Sequence, residues 1–393
     1  MYTVKIDTKD ARTVVVDDMI LTKDYPTTAG SKMLDGFMSL FDAEVLTKLK
    51  GAGYTLCGKA KVGEFSVDLL GETSYEGKAE KDGKLLNPAA EIVKADEALV
   101  SVGMDVNGSV RRAAAQNGLI SIKPTYGTVS RYGTIPVACS GETVSVMAKT
   151  VEECFSALSA IAGHDDKDGT SLPEEKCALV KEAYADAEVK KVAVLTSFKA
   201  DDEVMAKLDA FCDALGKNGV VVDKIDDDVI VKSKIAWNIL MSAELCNNVS
   251  RYDGVKFGYR TENFTNIDEL YTNSRTEAFG EQLKSIILFG SETLSTDNYF
   301  KVYDKALRTR RVIVETFNKL FEEYDAVIIP ACSAMAYDSN ADKYAPFEEN
   351  LYTAPASVTG LPTLALGGVQ VIGKAFSEKK LFKIGKLYEG EGK

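Results

Sequence analysis

The sequence contains one histidine, His164, and one tryptophan, Trp237, among 393 residues. A Ser-His-Asp hydrolase would therefore have to draw its base from His164, which sits in a polar stretch, "AGHDDKDGTS", with no pattern that points to catalysis. The seven cysteines, at 57, 139, 154, 177, 212, 246 and 332, are odd in number and form no CxxC pair. Zinc-ligand spacing is missing, so neither a metal nor a cofactor is expected, and the thiols are expected to be reduced and mostly buried. No apolar run reaches membrane-spanning length. The first residues, "MYTVKIDTKDARTVVVDD", lack the basic start and apolar core of a signal peptide. The expectation is a cytoplasmic protein that does not enter a membrane. Positive charge is in short supply as well: 47 Lys and Arg stand against 59 Asp and Glu, a net charge of −12. Such a surface does not attract nucleic acid directly. The one basic cluster, Arg308, Arg310 and Arg311, falls on a long helical pattern and reads as a solvated helix face.

The rest of the composition, 45% hydrophobic and 27% charged, is that of a soluble globular chain. Short apolar runs at 14–16, 55–57, 99–102, 190–198, 219–225 and 324–331 read as buried strands. Helical patterns at 42–53, with Gly51 as a stop, at 87–98 and at 202–216 read as helices. Thr150 with Glu153 forms a capping box ahead of another helix. Residues 119–149 are β-rich, 233–323 are mainly helical with a break near 252–266, and the C-terminal part holds a turn at "TGLPT", a strand pair and a last helix from 377. Strands that alternate with helices imply an α/β fold with a central mixed sheet flanked by helices on both faces. One domain over 1–393 is expected, with an α/β elaboration at about 190–232.

The stretch with the clearest chemistry is "GMDVNGSVRRAAAQNG", residues 103–118. Ser109 lies between a strand-like run and a helix-like run, the setting in which many folds present a nucleophile or bind an anion. The residues alone leave a second reading open, in which Ser109 is the N-cap of the following helix and nothing more.

This stretch, extended through "LISIKPTYGTVSRYGTI", resembles the nucleophile segment of the amidase signature family. The "KPTYG" and "VSRYG" portions are closest to the A subunit of the tRNA-dependent amidotransferases. "TTAGSKMLDGF", "GKAKVGEF", "SRYDGVKFGYR", "SRTEAFG" and "TAPASVTGLPT" agree in order along residues 13–388. The family's N-terminal helical region has no counterpart. The resemblance implies amide hydrolysis by a Ser–cisSer–Lys triad, with ammonia passed to the B subunit. By this likeness Ser109 is the nucleophile, and Val106, Asn107 and Gly108 supply oxyanion N–H groups. Asp105 and Arg111 support the turn, and Lys59 and Lys123 match family lysines other than the catalytic one.

The likeness breaks at the reacting groups. The family's catalytic lysine aligns with Asp17, whose neighbour Asp18 would raise its pKa by like-charge repulsion. The GGSSGG loop that carries the relay serine is absent, and only 21 positions separate Pro88 from Ser109. Ser285 and Ile286 stand where the family has the arginines of its glutamine site, and Asn350 stands where it has an aspartate. These departures imply a degenerate relative of the amidotransferase A subunit in which Ser109 is a vestigial nucleophile. Its role would be structural or regulatory, with the B and C subunits or a small-molecule ligand as partners. An active hydrolase of another amide, with an altered base, and a genuine amidotransferase A subunit are the alternatives.

Overall fold

The protein is described from a computed structural model that covers residues 1–342 and 344–391. Thirteen strands occur among the described residues: β1 (Tyr2–Lys5), β2 (Thr13–Asp17), β3 (Thr55–Ala60), β4 (Glu80–Lys81), β5 (Lys84–Leu85), β6 (Val100–Asp105), β7 (Ile120–Lys123), β8 (Thr143–Ala148), β9 (Lys191–Leu195), β10 (Val221–Ile225), β11 (Ala326–Pro330), β12 (Thr363–Leu366) and β13 (Val369–Gly373). Eleven of them build one mixed sheet in the order β1-β3-β2-β6-β8-β7-β12-β13-β11-β9-β10. β4 and β5 form a separate hairpin. β2 pairs in parallel with both β3 and β6, while β8 pairs antiparallel with β6 and β7. The segment 190–232 contributes β9 and β10, which extend the far edge of this sheet.

Period-two alternation sends successive strand residues to opposite faces. On β2, Val14 and Val16 pack in a cluster with Leu46 and Leu49 of helix α1 (Glu44–Gly51), whereas Val15 packs with Ile92 of α2 (Pro88–Lys94). On β8, Val144 and Val146 join the cluster that holds Ala157 and Ile161 of α4 (Val151–Ile161), while Met147 packs with Ala113–Ala115 of α3 (Ser109–Asn117). Both faces of the sheet are therefore covered by helices. The capping box is present: Thr150 Oγ1 accepts from Glu153 N and the Glu153 carboxylate accepts from Thr150 N.

The remaining helices are α5 (Glu174–Cys177), α6 (Asp202–Lys217), α7 (Ser233–Val249), α8 (Ile267–Ala278), α9 (Glu281–Thr293), α10 (Asp304–Glu323), α11 (Ala345–Thr359) and α12 (Glu378–Glu391). Sequence reading misses α11, because Pro355 lies inside it and "TGLPT" follows. Arg308 and Arg311 on α10 pair with Asp304 and Glu315 one turn away, and Arg310 donates to the Ser140 carbonyl. All seven cysteines are free thiols, five of them buried. No helix among the described residues is long and apolar enough to cross a membrane.

Candidate functional site

β6 runs into a tight turn, Val106–Gly108, and α3 begins at Ser109. Gly108 adopts a left-handed conformation (φ 84°), and a Cβ there would lie 2.2 Å from Cγ2 of Thr353 on α11. Only glycine fits both the dihedral and the space. Gly108 is also the N-cap of α3, which has no side-chain cap hydrogen bond. The reading of Ser109 as N-cap is thereby corrected: it is the first helical residue, because the left-handed glycine before it already breaks from the strand. Ser109 Oγ has no hydrogen-bond partner among the described residues and borders a cavity. Nor do the backbone N–H groups of Asn107 and Gly108 meet an acceptor among them.

The turn is held from behind. Arg111, fully buried, donates from Nε and one terminal nitrogen to the two oxygens of Asp105 (2.9 and 3.0 Å). Its other donors reach Thr353 O, Gln370 Oε1 and Ser357 Oγ at 2.8–2.9 Å. Val106 O accepts from Ser357 Oγ at 3.4 Å. Asn107 keeps a negative φ. Its side chain donates to Val67 O (2.9 Å) and accepts from Trp237 Nε1 (2.8 Å), and its carbonyl accepts from Arg112 and Thr353.

Asp17 ends β2 and borders the same cavity as Ser109, together with Lys61, Gly63, Ser66, Asp68 and Ser101. The cavity has about 30 Å³ of free space, above the roughly 10–15 Å³ that a water needs. The Asp17 carboxylate accepts from Met19 N (3.0 Å) and Met104 N (2.5 Å). Burial pushes its pKa up to about 7, with the charge of Asp18 adding to the rise and the two backbone N–H groups opposing it. Asp18 faces the other way. Its Oδ1 lies 2.9 Å from Lys59 Nζ, a charge contact without hydrogen-bond alignment, and its Oδ2 accepts from Thr28. Lys59 also donates to Pro26 O and Thr27 Oγ1 and is committed to this buried cluster. Burial depresses the Lys59 pKa. Lys61 contacts the Glu76 carboxylate at 3.4 Å, and Lys123, also buried, donates to Leu361 O.

The other sequence-derived positions lie apart from this cavity. Ser285 on α9 donates to Glu281 O and borders a separate groove with Ile235, Asn238 and Phe347. Ile286 is buried in the core. Asn350 on α11 is buried, donates to Asn238 Oδ1 (2.6 Å), and leaves its own Oδ1 unpartnered. Trp237 belongs to α7, as do the groove residues Ile235 and Asn238, and places its indole against Asn107 and Gly141. Sequence reasoning passes over Trp237, Thr353 and Asp68. The one available signal is that Trp237 is the only tryptophan.

Asp17 makes folding pH-dependent. Its folded pKa, about 7, lies above the ordinary value of 3.8, so between these values the unfolded chain binds fewer protons. Stability contributed by this group falls as pH rises through that window, by up to about 1.4 kcal/mol per pH unit. Glu64, raised to about 7 by burial, acts in the same direction. Asp17→Asn is expected to cost stability at acid pH, because its amide NH2 must face one of two backbone N–H groups. It should also flatten the decline from pH 4 to 7 in urea titrations. An unchanged slope would remove Asp17 from the account.

A large mixed sheet, layered by helices, carries a glycine-serine turn beside a small cavity, an α/β architecture with a built site. The amidase family model matches residues 13–382. The chain is 32% identical over 400 residues to the A subunit of glutamyl-tRNA(Gln) amidotransferase from Lachnoclostridium phytofermentans, covering 94% of this chain and 81% of that protein. Identity to the corresponding subunit of Streptococcus pneumoniae is 33% over 398 residues, covering 96% and 82%. Among solved structures, the A subunit from Thermotoga maritima superposes with a TM-score of 0.80 at 26% identity, covering 99% of this chain and 86% of that one. A 6-aminohexanoate cyclic dimer hydrolase shares the fold, with a TM-score of 0.81 at 16% identity, covering 96% of this chain and 84% of that one. The chain belongs to the amidase family and is similar to the A subunit of glutamyl-tRNA(Gln) amidotransferase.

Proposed function

We propose that this chain is a relative of the amidotransferase A subunit in which glutamine hydrolysis has been silenced, and that it serves a structural or ligand-binding role in the cytoplasm. The observation that carries this reading is the surroundings of Ser109. Its hydroxyl has no partner among the described residues, and the cavity it borders is small, about 30 Å³. A serine hydroxyl needs a positioned base to act as a nucleophile. The family's lysine is replaced by Asp17, the serine-glycine relay loop is missing from the sequence, and Ser285, Ile286 and Asn350 replace the charged substrate anchors. Losing a bidentate guanidinium removes recognition of a planar carboxylate, which no serine or isoleucine restores. The B and C subunits of an amidotransferase are the partners this reading names, since the relatives are themselves subunits of that enzyme.

One arrangement favours a second reading, a hydrolase of an amide other than glutamine. Ser109 caps nothing and shares its cavity with Asp17, and the N–H groups of Asn107 and Gly108 are uncommitted among the described residues. A carboxyl group with a pKa near 7 is a competent general base at neutral pH. Labelling with a serine-directed fluorophosphonate, alongside ammonia release from glutamine, separates the two. The silent protein gives no label and no ammonia beyond the Ser109→Ala variant. Label that disappears in Ser109→Ala would establish the hydrolase instead. Co-purification with the B and C subunits tests the partnership.

A further inference from the structure

We propose that a groove between residues 33–37 and 247–259, away from the Ser109 cavity, docks a segment of another polypeptide that places an aromatic or aliphatic side chain among carboxylates. The groove encloses about 920 Å³, near the upper end of the roughly 300–1,000 Å³ typical of ligand sites. Leu34, Phe37, Ile135, Tyr252 and Phe257 form its apolar walls. Phe257 is 58% exposed and Phe37 39%. Next to them in the chain, Met38, Leu40, Phe41 and Val255 are also exposed, and Leu40 reaches 90%. Exposed large apolar residues gathered on two adjoining loops mark an interaction surface, where scattered single ones would not.

The groove is preformed. Tyr259 N donates to Met33 O (2.7 Å), which ties one loop to the other. Asp253 Oδ1 accepts from Val255 N and Lys256 N, and Gly254 N donates to Phe257 O. Gly258 has φ +82°, and a Cβ there would lie 2.4 Å from Met33 Sδ. Little ordering remains for a partner to impose on the loops, which favours binding.

Charge selects the partner. Arg251 and Lys256 border the groove, and neither has an ion-pair partner among the described residues. Arg251 donates only to Asn248, at 2.8 and 3.1 Å. Asp35, the acid on the wall, accepts from Tyr75. On a chain with net charge −12, two unmatched cations beside an apolar trough are complementary to an acidic segment. Both cations are at the exposed rim. They cannot enclose a free small carboxylate, but they can steer and register a chain lying along the groove.

The test is selection from a displayed random peptide library on the intact protein, followed by fluorescence anisotropy of the enriched peptides. Phe257→Ser and Arg251→Glu/Lys256→Glu are compared with Ile235→Ser, a control on a separate exposed surface. Thermal melting must show all three variants folded. Enriched peptides should carry Phe, Leu or Trp flanked by Asp or Glu. Each groove variant should weaken binding by about tenfold or more, and added salt should weaken the wild type but not the charge-reversed variant. Four results would overturn the proposal: no enrichment that depends on Phe257, enrichment of basic peptides, equal loss in Ile235→Ser, or self-association that Phe257→Ser abolishes. The last would make a second copy of this chain the occupant.

Discussion

Arg111→Ala is expected to lower the unfolding free energy by about 3–5 kcal/mol, the usual cost of breaking a buried charged pair by removing one member. All five donor contacts of the guanidinium are made inside the protein, to Asp105, Thr353, Gln370 and Ser357. Alanine would leave the Asp105 carboxylate fully buried with its bidentate partner gone. Arg111→Lys keeps the charge but cannot reproduce the fork, so it should fall between wild type and alanine. Urea titration followed by Trp237 fluorescence measures this directly. A loss in Arg111→Ala of less than about 1 kcal/mol, the range of exposed pairs, would show that Asp105 finds another partner or water. Removing both partners, as Asp105→Leu with Arg111→Met, should recover part of the loss, because the desolvated charge goes with them.

Trp237→Ala is the second large effect, expected at about 3–5 kcal/mol for a buried aromatic cut to a methyl group. The indole fills the space against Gly141 and donates to Asn107, the residue before the glycine of the turn. Trp237→Phe keeps much of the volume but strands Asn107 Oδ1, so it should cost about 1–3 kcal/mol, the penalty of an unsatisfied buried acceptor. Far-UV circular dichroism must replace fluorescence here, since no other tryptophan is present. Equal losses in the two variants would mean that packing contributes nothing beyond the hydrogen bond.

The strand, turn and helix around Ser109 are legible in the sequence because they depend on neighbours: an apolar run, a glycine, then alanines at helical spacing. The sheet's face-to-face alternation at Val14–Val16 is legible for the same reason. What surrounds the turn is not. The Asn107–Trp237 bond joins residues 130 apart, and the Arg111–Thr353 bond joins residues 242 apart. Helix α11, which carries Thr353, Ser357 and Asn350, hides behind Pro355, since proline usually ends a helix. Ser109 as N-cap is a sound local preference, displaced by a left-handed glycine packed so close to Thr353 that no side chain fits there. Asp17 and Ser109 are 92 positions apart in sequence yet border one cavity, because β2 and β6 are neighbours in the sheet.

The sheet order has a consequence for how the chain is made. β7, complete by residue 123, lies beside β12, which begins at residue 363, and the guanidinium of Arg111 takes three of its acceptors from residues 353, 357 and 370. During synthesis the central strands emerge long before the segment that closes over them. Until residues 353–370 have left the ribosome, one edge of β7 and a charged side chain remain without their final partners. Such long-range closure is slow and exposes edges to wrong pairing. Truncation before α11 should therefore yield a chain that chaperones retain, not a smaller folded protein.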